Sequence, residues 1–314
     1  MATQGQSPSH APLPAPLRGL DEAQSEIVQA IAETTLTIAA LLRDGVADGP
    51  RTTNRKNRFG DTQVPLDRLT DDLFGSALRT LKAVGAVASE ESPLTEVNAS
   101  SDSASARYLV LLDPLDGSSN VASGAGLGSI FAVVLQTGAP PTSGDVVAAG
   151  YAVYSWETTF VLATAEGVDS FRAAVDLSTY SFEKALQMPT EGTTYAVNEG
   201  TRGKWTSATQ AAIDAVSVGR SARYSGCFAV DFHRIMLDGG VFAYPGTIDR
   251  PEGKLRLFYE LIPMAYVARA AGGEAADGDG ALGVTLAADL DATTPVYLGS
   301  REPMQAVIRI LTEQ

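Results

Sequence analysis

The sequence predicts an α/β fold in which helices cover a sheet, and two patterns carry that expectation. Between residues 86 and 176, short apolar runs follow one another, each closed by Gly, Pro, Ser or Asp, which is the punctuation of five or six consecutive strands. After about residue 190, strand-like and helix-like stretches alternate instead. The length of 314 residues, 45% of them hydrophobic, allows a substantial core in two domains or one two-lobed unit.

Residues 1–19 are rich in Pro, Ser and Ala, lack the basic start and apolar stretch of a secretory signal, and read as a disordered tail. "DEAQSEIVQAIAETTLTIAALLRDG" sets Ile27, Val28, Ile31, Leu36, Ile38, Leu41 and Leu42 near helical spacing and stops at Gly45, so a first helix is expected there. Residues 46–67 have no periodicity and read as a long loop of the kind that often serves as a lid. A second helix is expected from Leu66 to Val84, with Leu69, Leu73, Leu78 and Leu81 as its apolar stripe. Strands are then expected in "AVASEE", "RYLVLLDP", "GSIFAVVLQ", "DVVAAGYAVYS", "TTFVLATAEG" and "VDSFRAAVD". Further on come a strand in "TYAVNEG", a helix near Ser207 to Val216, strand "VFAYPG", helix "LIPMAYVARAAGG", strand "TPVYLGS" and a last helix "EPMQAVIRIL". No apolar run approaches the ~20 residues that cross a bilayer.

Charge narrows the partners. The 23 Lys and Arg against 37 Asp and Glu leave a net charge of −14, which excludes general affinity for nucleic acid or an anionic membrane. Any anion must therefore be met by a local cluster. Only five basic residues are Lys, a pattern that suits a high-salt cytoplasm and a GC-rich genome equally. The single cysteine, Cys227, permits no internal disulfide and points to a reducing, cytoplasmic compartment.

The chemistry concentrates in "YLVLLDPLDGSSN". Pro114 fixes its own φ and pushes Asp113 toward extended geometry, so the strand is expected to stop at the first carboxylate, with Asp116 following in a turn that Gly117 sharpens. Two acids at the mouth of an apolar strand suit a hard divalent cation, and the Leu115 carbonyl could face the same ion. An Asp-Pro turn followed by an Asp-Gly turn ends a strand equally well without one. Nearby acids are Glu90 and Glu91 in "ASEE", and Asp67, Asp71 and Asp72 in "LDRLTDD". The backbone N–H groups of Ser118, Ser119 and Asn120 could form a nest for a phosphate oxygen. On pattern alone, Tyr224 and Tyr244 read as core tyrosines, Lys254 as part of a surface turn, Glu260 as a helix-start charge, His233 as a structural helix residue and Cys227 as inert.

"DPLDGSSN", preceded by "SEE" and followed by "GSIFAVV", resembles the metal-binding core of the class I fructose-1,6-bisphosphatases, in the lithium-sensitive, Mg²⁺-dependent sugar and inositol phosphatase superfamily. "VAAGYAVY", "YAVNEG", "ARYSG", "DFHRIMLDGGVFAYP", "GKLRLFYELIPMAYVARAAGG" and "PVYLGS" resemble further family blocks in order, covering most of the chain from Asp61 to Ser300. The resemblance implies a layered αβαβα fold, with a metal-site half at 20–190 and a sugar-phosphate half at 191–314. It implies hydrolysis of the 1-phosphate of fructose 1,6-bisphosphate, with sedoheptulose 1,7-bisphosphate as an alternative or second substrate. A catalytically silent metal- or sugar-phosphate-binding regulator is the reading of another class, and it predicts loss of an acid that this chain retains.

By the same resemblance, Glu90, Asp113, Asp116, the Leu115 carbonyl and Glu260 hold two or three Mg²⁺, with Mn²⁺ or Zn²⁺ as substitutes. Glu91 and Asp72 position and deprotonate the attacking water, with Asp67 as a supporting acid on the adjoining mobile loop. Gly117, Ser118 and Ser119 hold the 1-phosphate, Asn198, Tyr224 and Tyr244 the 6-phosphate, and Lys254 the sugar and its phosphate. Arg223 is donated to a neighbouring subunit, which implies a homodimer or homotetramer. The chain departs from the family pattern at Thr201, where animal enzymes carry Tyr. It also lacks a recognisable AMP-binding turn and the regulatory cysteine loop of chloroplast enzymes. Tyr108 matches a nucleotide-contacting Tyr.

Overall fold

The computed structural model describes residues 11–45, 65–92, 94–97, 107–137, 142–281 and 289–313. Most of the expected lid loop at 46–67 lies outside them. Helices α1 (Glu22–Asp44) and α2 (Pro65–Leu78) precede strands β1 (Val84–Ser89), β2 (Thr95–Glu96), β3 (Tyr108–Asp116), β4 (Leu127–Leu135), β5 (Val146–Tyr154), β6 (Thr158–Thr164), β7 (Gly167–Ala173) and β8 (Tyr180–Leu186). These make one sheet in the order β2-β1-β3-β4-β5-β6-β7-β8. Its β1–β3 pair is parallel, and from β3 onward the ladders are antiparallel.

The remaining chain supplies β9 (Thr194–Ala196), α3 (Ser207–Ser217), β10 (Ser221–Ala222), α4 (Phe228–Asp238), β11 (Gly240–Tyr244), β12 (Leu255–Arg256), a π turn (Leu257–Leu261), α5 (Ile262–Ala270), β13 (Glu274–Asp277), β14 (Gly280–Ala281), β15 (Thr293–Thr294), β16 (Val296–Gly299) and α6 (Arg301–Thr312). The second sheet runs β10-β9-β11-β16-β13-β14, and β12 pairs with β15 apart from it. Helices α1 and α2 cover the outer face of the first sheet, α4 and α5 lie between the sheets, and α3 and α6 cover the outer face of the second. The layered order expected from the resemblance is therefore present, with one apolar core under each outer helix layer and a third that fills both spaces around α4 and α5.

Helix α1 starts at a capping box: the Asp21 carboxylate accepts the Gln24 N–H at 2.8 Å, and the Gln24 side chain accepts the Asp21 N–H at 2.9 Å. Among the described residues, α1 alone is long and apolar enough to cross a bilayer, with a mean hydropathy of 1.3 over its most apolar window. Here Ile27, Val28, Ile31, Leu36 and Ile38 are buried in the core it shares with the first sheet.

Three expectations are corrected. Residues 11–19, assigned to a disordered tail, are packed: Leu13 and Leu17 are buried, Gln29 bonds both backbone groups of Leu13, and the Pro12 carbonyl accepts the Tyr180 N–H at 2.7 Å. The second helix ends at Leu78 rather than Val84, because Val84 and its apolar neighbours gain more by pairing with β3 than by extending a helix through Gly85. Strand β8 was not anticipated. It is an edge strand whose five central residues are exposed, so it lacks the apolar run that marks the others.

Candidate active site

Pro114 does not end β3 as expected. In a regular strand residues 113 and 116 point to opposite faces. The ladder to β4 pairs Asp113 with Ile130 and Asp116 with Gly128, so the strand bulges at Pro114 and Leu115 and the two carboxylates converge. Proline has no N–H to lose there, and Ser129 donates its hydroxyl to the Pro114 carbonyl at 2.7 Å. The Leu115 N–H donates to Asp113 at 3.1 Å, fixing the first acid from inside the bulge.

Glu260, on the π turn leading into α5, closes the cluster. One carboxylate oxygen from each of Asp113, Asp116 and Glu260 lies within 4.8 Å of the others, and all three side chains are buried. Burial first, then the charges of Glu90, Asp116, Glu260 and Glu91, pushes the Asp113 carboxyl well above the usual range. Burial also raises Asp116, against the N–H of Ala229 at 2.5 Å and the Cys227 thiol at 3.1 Å, which stabilise its ionised form. Glu260 is raised by burial and Glu90, against the Arg256 N–H at 2.5 Å. Buried, mutually repelling hard oxygens are the donor set of a divalent cation, and these residues fit one.

Two partners escaped the sequence reading. Arg256 is 8% exposed, with its guanidinium 3.8 Å from Glu90 and donating to the Asp291 carbonyl at 3.2 Å. Only its place four residues before Glu260, inside "GKLRLFYE", hinted at this. Cys227, read as inert, donates its thiol to Asp116. His233 stays structural: it lies 3.0 Å from the Tyr151 hydroxyl, and burial pushes it down to about 4.

Gly117 follows Asp116 with φ 77° and opens the single 3₁₀ turn Ser118–Asn120, whose first N–H groups the turn itself leaves open. A Cβ at Gly117 would stand 2.6 Å from the Cys227 Cβ. Gly117→Ala is therefore expected to cost about 2 kcal/mol, read as a lower urea midpoint at unchanged slope.

The residues expected to hold the 6-phosphate collect at one end of the second sheet. Strands β10, β9 and β11 are parallel neighbours, and Tyr224, Asn198 and Tyr244 stand at or two residues past their carboxyl ends, where open α/β sheets bind ligands. Tyr224 is 39% exposed, and partial desolvation of its hydroxyl, then the neighbouring Tyr244, raises its phenol. Asn198 caps its own turn by accepting the Gly200 N–H at 3.1 Å, and Thr201 is occupied locally, taking the Trp205 indole N–H at 3.0 Å.

Other predicted residues are spread more widely. Asp67 is buried in the first turn of α2, not on a loop, and Asp72 is exposed with Arg68 at 4.0 Å. Asp71, one residue earlier, is bonded by Ser92 and so holds α2 against the half-buried turn carrying Glu90 and Glu91. Arg223 and Lys254 are exposed. Tyr108 is buried, its hydroxyl accepting from Gln24 at 3.1 Å and donating to Asp21 at 3.4 Å.

A buried cluster of three acids that suits a divalent cation, followed directly by a turn with open N–H groups, is the arrangement that metal-assisted phosphoryl chemistry requires. The family model described as fructose-1-6-bisphosphatase, N-terminal domain, matches residues 19–185, and that of the C-terminal domain matches residues 188–312. Leishmania major fructose-1,6-bisphosphatase in holo form is 31% identical with a TM-score of 0.85, over 93% of this chain and 94% of that one. The T-state form gives 30% and 0.80 over 97% and 95%. The chain belongs to the fructose-1,6-bisphosphatase family, and divalent-metal dependence goes with that membership.

Proposed function

We infer that the protein hydrolyses the 1-phosphate of fructose 1,6-bisphosphate to fructose 6-phosphate and phosphate. The observation that carries this is the pairing of the Asp113, Asp116 and Glu260 cluster with the Asn198, Tyr224 and Tyr244 shelf in a chain matched by both halves of the family.

Asp113, Asp116, Glu260, Glu90 and the Leu115 carbonyl would hold Mg²⁺. Four carboxylates support more than one ion, with Mn²⁺ or Zn²⁺ as substitutes. Bound there, the ions lower the pKa of water and neutralise charge on the phosphoryl group. Glu91 and Asp72 position the attacking water and take its proton, with Asp67 supporting them. Gly117 and the N–H groups of Ser118 and Ser119 orient the 1-phosphate. The side chains of Asn198, Tyr224 and Tyr244 donate to the 6-phosphate, which binds ground and transition states alike. Exposed Lys254 reaches the sugar, and exposed Arg223 extends to a neighbouring subunit in a dimer or tetramer. Residues 20–190 act as the metal-site half and 191–314 as the sugar-phosphate half of a cytoplasmic enzyme of sugar-phosphate metabolism, such as gluconeogenesis.

Phosphate release with Mg²⁺ from fructose 1,6-bisphosphate, sedoheptulose 1,7-bisphosphate, inositol monophosphate and a nucleotide 3′-phosphate tests this. No release from the first beside turnover of either of the last two would sink it. Tyr244→Phe is expected to raise KM for fructose 1,6-bisphosphate about tenfold with kcat within twofold, since a hydrogen bond to a charged group is worth about 1.5–3 kcal/mol. AMP is expected to leave the rate unchanged, because the Asp21 carboxylate lies at the Tyr108 hydroxyl and would repel a phosphate.

A further inference from the structure

The loop 223–226, which carries Arg223 and Tyr224, is fastened at both ends. The Arg223 N–H donates to the Tyr195 carbonyl at 2.8 Å, continuing the β10–β9 pairing. At the other end, buried Asp231 in the first turn of α4 accepts the Ser225 N–H at 2.8 and 3.0 Å and the Gly226 N–H at 3.2 Å. Beside the Cys227 and Ala229 bonds to Asp116, a further tie from the first sheet reaches the loop itself. Asn120, last residue of the turn after Gly117, donates its side-chain amide to the Ser225 carbonyl at 3.2 Å and to the Gly126 carbonyl at 3.1 Å.

We propose that Asn120 is a positioning residue that ties the metal-side turn to the far-anion loop and thereby sets the length of sugar bisphosphate the site accepts. The proposal rests on the function inferred above. Ser118 and Ser119 sit two residues and one residue before Asn120, and Tyr224 sits one residue before Ser225. The amide thus links the two subsites directly, where the backbone route from one to the other is more than a hundred residues long. A bisphosphate spans both subsites, so its binding depends on their separation, and inorganic phosphate, which needs one subsite, does not. Cutting the tie frees the loop to move outward. That weakens the six-carbon substrate and relaxes the barrier to a seven-carbon one.

Asn120→Ala and Asn120→Asp remove the donor, and the Asp variant keeps the size. Both are expected to raise KM for fructose 1,6-bisphosphate about tenfold, with kcat and the half-saturating Mg²⁺ concentration within twofold of wild type. Inhibition by inorganic phosphate should also stay within twofold. The preference for fructose 1,6-bisphosphate over sedoheptulose 1,7-bisphosphate should fall at least threefold. Without any substrate, amide hydrogen exchange in residues 221–228 should speed up about tenfold. An unchanged preference, exchange as slow as wild type, or equal losses in Mg²⁺ and phosphate affinity would each overturn the proposal, the last because it marks damage to the turn itself. A wild-type protein inactive on both bisphosphates would refute the substrate assignment, and the exchange measurement would still decide the tie.

Discussion

Replacing Asp116 by Asn is expected to lower phosphate release from fructose 1,6-bisphosphate by at least about a thousandfold while leaving the protein folded. Metal ions supply several kcal/mol of transition-state charge stabilisation, and each 1.36 kcal/mol is about tenfold in rate. A neutral amide is a poor ligand for a hard cation beside two other buried acids. Folding should survive because the carboxylate's structural contacts suit an amide oxygen: the Ala229 N–H and the Cys227 thiol both donate to Asp116 Oδ2. The substitution also removes a charge that burial disfavours. Metal-free Asp116→Asn is therefore expected to melt no lower than metal-free wild type at pH 8, and to gain much less from Mg²⁺. Wild-type turnover in this variant would refute the metal assignment. A collapsed melting curve would instead make Asp116 a structural anchor of α4.

The parts of this site legible in the sequence were those written in local chemistry. Asp113 and Asp116 stand beside a proline and a glycine, whose backbone limits are readable one residue at a time. How the acids come to face one another was not readable. It depends on a bulge that is visible only in the pairing with Ile130 and Gly128 on β4. Arg256 and Cys227 belong to the same difficulty: an arginine in a short strand and a lone thiol carry no signal until Glu90 and Asp116 arrive beside them through the fold. At the second sheet, Tyr224 and Tyr244 read as core tyrosines by composition. Their place at the ends of parallel neighbours β10 and β11, on either side of β9, is a property of topology, which no run of residues encodes locally. Strand β8 and the packed segment 11–19 failed for the opposite reason. Their order comes from a sheet edge and from Gln29 and Tyr180, not from an apolar pattern of their own.

Metal-free protein is expected to lose thermal stability as pH rises from about 6.5 to 8, and Mg²⁺ is expected to reverse that slope. The folded state holds the carboxyls of Asp113 and Glu260 well above their ordinary range and that of Asp116 above it. A carboxyl raised in this way contributes stability that is complete below its unfolded pKa and is lost as pH rises through its folded one. Two other groups titrate lower. Asp231, pushed up to about 6 by burial, acts with the cluster, whereas His233, pushed down to about 4, adds stability as pH rises toward its ordinary 6.5. Asp231 is mostly ionised by pH 6.5, and His233, half titrated there in the unfolded chain, adds only about 0.4 kcal/mol above it, so the acid cluster dominates the slope from pH 6.5 to 8. With Mg²⁺ the ionised carboxylates become the bound form, and at about 1,000 times Kd the gain is about 4 kcal/mol, or roughly 6 °C in Tm for a protein of this size. That gain should shrink toward pH 5, where protons compete for the same oxygens. Melting curves with EDTA and with Mg²⁺ at pH 5, 6.5 and 8 check it. A metal-free Tm that rises between pH 6.5 and 8 would mean that the cluster's carboxyls are not held above their ordinary range, and a Mg²⁺ gain equal at pH 5 and 8 would mean that the three acids are not the ion's ligands.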